Sequence, residues 1–274
     1  MNLNDKRVAL PLSAGINSAA VLCWLIESGM QPSELHIYYA HFDEHSPGSL
    51  DFVVDLIQLA KNHFNKVVSN ITYNSVLKFF EDEHMICHPK NSACSRKMKI
   101  EPMALYNSVN LIDVDLIGYV RTEKARMDNN RGNNDMFMST EFPIAQFDDD
   151  WCFAIVKRLL GWYPAVYDLK WNDAGFMAYL ETALPTFGED VQTRIRKKMG
   201  ADKRVFKHNN CLPCKNMDID DMLAVTYFFP EYMDKARATA NRLQVYWGRD
   251  ADQYYTTFGR EDYEGEKCEV CKFD

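Results

Sequence analysis

The sequence has no apolar run that reaches the roughly eighteen residues needed to cross a bilayer. It also shows no signal-peptide core, because the polar start of the chain leads directly into a strand-like segment. Glycine is scarce, at 12 of 274 residues, and neither a Gly/Ser linker nor an internal repeat is visible. We therefore predict a compact cytoplasmic protein with no membrane partner.

An excess of positive charge is also absent. The 31 basic residues are outnumbered by 39 acidic ones, giving a formal net charge of -8. This charge excludes a protein whose whole surface is basic and binds DNA or RNA. With 47% hydrophobic and 13% aromatic residues, the composition excludes disordered and low-complexity classes. A chain of this length is either one large domain or a core domain with an appendage.

The first half of the chain alternates β-like and helical patterns, which predicts an α/β fold with a doubly wound, mainly parallel sheet. Ligands of such sheets bind beyond the carboxyl ends of the strands. Longer helical patterns follow, ending in a cysteine-bearing region. We predict an α/β domain over 1–145 and a helical C-terminal region over 146–274. The predicted strands are 7–12, 35–42, 66–71 and 114–119, and the predicted helices are 18–28, 50–63, 151–160, 218–229 and 231–243.

A loop of small and polar residues joins the first predicted strand to the first helix. In this position, backbone amides and a helix N-terminus favour an anion such as phosphate, and serine hydroxyls add donors. An ordinary turn with Ser18 or Asn17 as the helix cap is the alternative. The residues of the loop are Ser13, Ala14, Gly15, Ile16, Asn17 and Ser18.

This loop resembles the pyrophosphate loop of the PP-loop (adenine nucleotide alpha hydrolase-like) superfamily, whose usual form is Ser-Gly-Gly-x-Asp-Ser. The resemblance implies a Rossmann-like fold and a site for the phosphates of an adenine nucleotide. Ala14 stands in place of a glycine and Asn17 in place of the acidic residue.

Two further segments resemble the PAPS (phosphoadenosine phosphosulfate) reductase-like family of this superfamily. The segment 94–103 is similar to its Cys-Cys-x-x-Arg-Lys-Val-Glu-Pro-Leu motif, with Ser95 on the second cysteine, and 118–126 is similar to its Gly-x-Arg-x-Glu segment. The resemblance implies ATP or PAPS as the nucleotide, with Mg²⁺ as a further candidate cofactor. The nucleotide contacts expected outside the loop are Asp43, Lys99, Gly118, Arg121 and Arg126.

Four of the eight cysteines form two Cys-x-x-Cys pairs, Cys211 with Cys214 and Cys268 with Cys271. Four thiolates are the ligand number of a tetrahedral zinc site or a [4Fe-4S] cluster, so these four are the predicted metal ligands. In the iron-sulfur branch of the family, a cysteine at the position of Cys94 and a later Cys-x-x-Cys pair hold the cluster. Cys94 and Cys268 are also candidate catalytic nucleophiles, because the end of the chain weakly resembles the reductase tail. Cys23 and Cys152 lie in apolar helical patterns and are predicted core residues.

Basic residues crowd the segment 194–207, just before Cys211, opposed within it only by Asp202. The segment is either a surface for substrate phosphates or nucleic acid, or a solvated helix face. Its basic residues are Arg194, Arg196, Lys197, Lys198, Lys203, Arg204 and Lys207.

Three functions follow from these patterns. The first is a PP-loop nucleotide-binding enzyme that activates an acceptor by adenylation or transfers sulfur, with a sulfur-donor protein as a candidate partner. The second is a sulfonucleotide reductase. The third is a catalytically inactive nucleotide-sensing or nucleic-acid-associated module with structural zinc, because Asn17 replaces the acidic residue of the loop.

Overall fold

The computed structural model describes residues 1–87, 93–131, 138–209, 211–214 and 217–243. Its centre is a five-stranded, all-parallel sheet with the strand order β3-β2-β1-β4-β5. Val8 pairs with Leu35 of β2 on one side and with Val114 of β4 on the other. The strands are β1 Arg7–Leu12, β2 Glu34–Phe42, β3 Val67–Asn74, β4 Val114–Leu116 and β5 Ser139–Glu141.

Helices connect and flank these strands, giving the predicted α/β Rossmann-like fold with a helical C-terminal region. They are α1 Ile16–Glu27, α2 Ser49–His63, α3 Val76–Asp82, α4 Ala93–Ser95, α5 Glu101–Val109, α6 Lys124–Arg131, α7 Asp149–Leu160, α8 Ala174–Ala183, α9 Glu189–Arg196, α10 Ile219–Phe228 and α11 Pro230–Leu243. Within the described chain, no helix is long and apolar enough to span a membrane.

The core forms where the central strand and α1 bury apolar side chains. Val8, Ala9 and Leu10 of β1 are all buried, as expected for a strand covered on both faces. Helix α1 packs against α7, and Cys23 of α1 and Cys152 of α7 are both fully buried. Burial raises the pKa of each thiol to about 12, so both are inert core residues, as predicted.

The described chain divides into two compact units. The first comprises Met1–His41, Pro47–Asn74 and Arg96–Ala165, and the second comprises Phe42–Ser46, Ser75–Ser95 and the described residues from Val166 onward. The first unit contains the sheet except Phe42, the last residue of β2, together with α7, and the second contains α8 to α11. The domain boundary near residue 145 stays a prediction.

Two departures from the predicted elements concern the sheet: β5 is not among the predicted strands, and β4 is shorter than predicted. It ends at Leu116, three residues before the predicted end at residue 119, and the chain then continues without regular structure through Val120. Gly118 lies in this irregular stretch, where the chain approaches the start of α1.

Candidate functional site

The strand order changes direction between β1 and β4, which is the topological switch point of the sheet. From β1 the chain adds β2 and β3 on one side, and then returns to add β4 and β5 on the other. The loops that follow two such diverging strands open a crevice at their carboxyl ends, where ligands of open α/β sheets bind. The loop Ser13–Ser18 follows β1 and the stretch with Gly118 follows β4, so the fold brings both predicted segments to this edge.

Gly118 is in close contact with the backbone of the loop. A Cβ atom added at Gly118 would lie 2.7 Å from the Asn17 carbonyl oxygen and 2.9 Å from the Ser18 nitrogen. A side chain has no space here, which explains why glycine occupies this position. The contact joins the end of β4 to the first turn of α1.

The two serines fasten the loop to itself. The Ser13 N–H donates to Ser18 Oγ at 3.1 Å, and the two hydroxyl oxygens lie 3.2 Å apart. Ser18 Oγ donates to the Gly15 carbonyl oxygen at 3.0 Å, while the Gly15 N–H donates to Ser13 Oγ at 3.3 Å. These bonds fix the path of the backbone that would surround an anion.

Helix α1 begins without a side-chain cap. Its N-cap is Gly15, and the prediction that Ser18 or Asn17 caps the helix is wrong, because both lie inside the first turn. Ser18, three residues after the cap, donates its hydroxyl to the Gly15 carbonyl oxygen instead of capping the helix. The N-cap Gly15 contributes no side-chain hydrogen bond to the end of this twelve-residue helix, whose N-terminal dipole lies at the crevice.

Ala14 and Asn17 show what the departures from the usual loop sequence do. Ala14 has a φ of 56°, the left-handed conformation that the glycine of the usual sequence adopts at less cost. Asn17 Oδ1 is buried and has no hydrogen-bond partner among the described residues. A buried acceptor without a partner is costly in a protein, unless a ligand supplies the donor.

The two predicted arginines lie after β4, in different environments. The Arg121 side chain is exposed, and its guanidinium lies 3.5 Å from an Asp148 carboxylate oxygen. Arg126 pairs with Glu123 and stacks over the Tyr119 ring at 4.6 Å. Arg121 is therefore the more available cation, whereas Arg126 would have to leave Glu123 to bind a phosphate.

Lys99 and Asp43 complete the predicted nucleotide contacts. Lys99 is half-buried in a turn of π-helix, Arg96–Ile100, a rare conformation that is frequent at functional sites. Asp43 is exposed and belongs to the second compact unit. Their contact with a nucleotide stays a prediction.

The first cysteine pair lies in a loop of the second unit that is anchored by the segment Phe42–Ser46. The Leu212 N–H donates to the Glu44 carbonyl oxygen at 2.7 Å, and His45 forms a β-bridge with Cys211. Ser46 Oγ donates to Asn209 Oδ1 at 2.7 Å. Cys211 is buried and Cys214 is half-buried, so a fixed loop presents both thiols.

Glu44 also holds the start of α3, a role that the sequence does not reveal. Its buried carboxylate accepts hydrogen bonds from Ser75 Oγ at 2.6 Å, from the Val76 N–H at 2.8 Å and from the Leu77 N–H at 3.1 Å. An acidic residue in a polar stretch gives no signal of burial in a sequence. Glu44 thus connects α3 to the loop with Cys211.

Cys94 does not meet the first cysteine pair. It is buried in α4, and its N–H donates to the sulfur of the buried Cys87 at 3.2 Å. Within the described residues, no three His, Cys, Asp or Glu side chains come together in a group that could hold a metal ion. Cys268 and Cys271, and with them the tail candidate for the nucleophile, lie outside the described residues.

Comparison with solved structures reveals similar folds at low sequence identity. NMN synthetase from Francisella tularensis matches with a TM-score of 0.38 and 13% identity, over 57% of this chain and 61% of that chain. PAPS reductase from Candida auris, in a phosphate complex, matches with a TM-score of 0.41 and 11% identity, over 59% and 76%. The U34-tRNA thiolase NcsA from Methanococcus maripaludis, which has a [4Fe-4S] cluster, matches with a TM-score of 0.43 and 12% identity, over 88% and 73%.

These proteins are members of the PP-loop superfamily. Searches with protein-family models and with curated protein sequences gave no match. The match spans less than two thirds of the NMN synthetase chain.

Proposed function

We propose that the chain is a nucleotide-using PP-loop enzyme that binds the phosphates of ATP or PAPS at Ser13–Ser18 and uses the nucleotide in adenylation or sulfur transfer. The observation that carries the proposal is the position of the α1 N-terminus at the β1 edge, with the loop fixed by Ser13 and Ser18 and packed on Gly118. Such an arrangement stabilises negative charge on phosphate oxygens.

In the adenylation reaction, an acceptor oxygen attacks the α-phosphorus of ATP. A new P–O bond forms, the bond between the α-phosphorus and the bridging oxygen breaks, and pyrophosphate leaves with the electron pair. A sulfur nucleophile then attacks the activated carbon of the acceptor and displaces AMP. In this scheme, the α1 N-terminus stabilises the charge of the leaving pyrophosphate, and Arg121 adds a guanidinium.

Asn17 limits how well a Mg²⁺ ion could assist this reaction. The acidic residue of the usual loop would add a carboxylate ligand for Mg²⁺, whereas an amide oxygen is neutral and a weaker ligand. Asn17 Oδ1 is an acceptor, so its partner on the nucleotide would be a hydroxyl or amino donor and not a phosphate oxygen.

The test is pyrophosphate release from ATP, measured together with equilibrium binding of ATP and PAPS. We expect binding of at least one nucleotide, and ATP-dependent pyrophosphate release once the acceptor is present. Asn17→Asp is expected to increase Mg²⁺-dependent turnover if the amide limits metal assistance. Binding without turnover in both proteins would favour the nucleotide-sensing module, and binding of neither nucleotide would refute the proposal.

We further propose that Cys211 and Cys214 supply two of the four ligands of a zinc ion or a [4Fe-4S] cluster, with Cys268 and Cys271 as the others. The fixed loop and its two neighbouring thiols fit a thiolate site. A zinc ion would act as a structural clamp, whereas a cluster would supply electron-transfer or sulfur chemistry.

Metal and acid-labile sulfide content of protein purified without oxygen tests this ligand set. The wild type is expected to carry about one equivalent of zinc or one cluster, and Cys211→Ser is expected to lose most of it. Cys152→Ser serves as the folding control, because Cys152 is a core thiol of α7. Retention of full metal by Cys211→Ser, or its loss from Cys94→Ser, would contradict the proposed ligands.

A further inference from the structure

The basic segment 194–207 contains two kinds of cation. Arg194 and Lys198 pair with Asp220, whose side chain is 1% exposed. Arg194 donates to Asp220 Oδ1 through Nη2 at 2.8 Å and through Nε at 3.2 Å, and Lys198 pairs with Oδ2. These two cations neutralise a buried carboxylate, although their own side chains are 47% and 40% exposed.

Four other cations of the segment remain exposed to solvent. They form no ion pair within the described residues, and Asp202, the one acidic residue of the segment, pairs with Lys170 at 2.6 Å. A local excess of positive charge on a chain of net charge -8 marks a surface that attracts polyanions. The four are Arg196, Lys197, Lys203 and Lys207.

The backbone holds this segment in a defined shape. The Gly200 N–H donates to the Trp171 carbonyl oxygen at 3.0 Å, and the Trp171 N–H donates to the Lys203 carbonyl oxygen at 3.0 Å. The Val205 N–H donates to the Leu169 carbonyl oxygen at 2.8 Å, and the Trp171 ring is buried beneath Lys198. A segment fixed in this way loses little conformational entropy when a partner binds.

The absence of an exposed ring in the described segment indicates the kind of polyanion. Its only aromatic residue, Phe206, is 2% exposed, so the segment has no platform on which unpaired bases could stack. Cations without stacking rings are suited to the phosphate backbone of a double helix, which is bound by charge.

We infer that Arg196, Lys197, Lys203 and Lys207 form a docking surface for the phosphate backbone of double-helical nucleic acid. The surface is separate from the Ser13–Ser18 loop in sequence, and its test uses no adenine nucleotide. The result of that test is therefore independent of the proposed enzyme activity.

The test is the affinity of the full chain for a labelled duplex of about 20 base pairs, as RNA and as DNA of the same sequence, at several salt concentrations. With about four phosphate contacts, the affinity should fall about a hundredfold between about 50 and about 200 mM salt. Arg196→Glu with Lys197→Glu should weaken binding at least about tenfold at low salt and reduce the salt slope by about two.

The matched control is Lys6→Glu with Lys61→Glu, which makes the same change in net charge at two exposed lysines of the other compact unit. The control variant should bind as the wild type does. Salt-dependent binding of either duplex supports the surface, and the tighter of the two identifies the nucleic acid. No duplex binding at low salt, binding confined to a single-stranded oligonucleotide, or an equal effect of both double variants would overturn it.

Discussion

Replacing Gly118 by alanine is expected to weaken nucleotide binding at least about tenfold, or about 1.4 kcal/mol of binding free energy. The added Cβ would lie 2.7 to 2.9 Å from backbone atoms of Asn17 and Ser18, closer than real Cβ contacts allow. Backbone cannot swing away as a flexible side chain can, so the first turn of α1 or the end of β4 must shift. Either shift moves the amides that are proposed to bind phosphate.

The measurement is the Kd of Gly118→Ala for ATP and PAPS, together with its free energy of unfolding. Gly29→Ala is the control, because Gly29 has a φ of 67° but no atom within 4 Å of an added Cβ. That variant should lose about 1 kcal/mol of stability through backbone strain and keep its affinity. Unchanged nucleotide affinity in Gly118→Ala would show that the phosphates bind elsewhere.

The sequence predicts four of the five strands because β1 to β4 carry apolar signals, whereas the three polar residues of β5 give no such signal and that strand is missed. The apolar run of β1 matches the predicted bounds, and β2 and α2 begin one residue before them. The shortness of β4 could not be predicted, since Ile117 continues its apolar pattern. What ends the strand is the contact of Gly118 with the backbone of α1, which is not local in sequence.

The candidate site is predicted in part, and the remainder depends on contacts between distant segments. The sequence identifies the Ser13–Ser18 loop, but a serine three residues into a helix looks the same whether it caps the helix or bonds to the loop. Burial of Glu44 depends on α3, more than thirty residues away in the chain. Asp220 likewise pairs with Arg194 across 26 residues, so the sequence could not separate the cations that pair with Asp220 from the others.

Asp115 leads to the second large prediction, a change of stability with pH. This carboxyl group lies on β4 and is 3% exposed, and its Oδ1 has no hydrogen-bond partner among the described residues. Burial raises its pKa from 3.8 to about 7. A folded-state pKa above the unfolded value means that the folded protein binds the proton more tightly, so Asp115 favours folding below pH 3.8. This contribution decreases as the pH rises and is lost above about pH 7.

The variant Asp115→Asn removes the titration while keeping the shape of the side chain. Relative to the wild type, its free energy of unfolding should increase by about 3 kcal/mol between about pH 5 and about pH 8, since each pKa unit is worth about 1.4 kcal/mol. Chemical unfolding of both proteins at the two pH values measures this difference. Asp221, whose pKa burial also raises to about 7, is present in both proteins and cancels. If the buried charge is the cause, Asp115→Leu should show the same increase in the free energy of unfolding, relative to the wild type, as Asp115→Asn. If the free energies of unfolding of the wild type and both variants change in parallel with pH, the carboxylate is stabilised at neutral pH and the prediction is wrong.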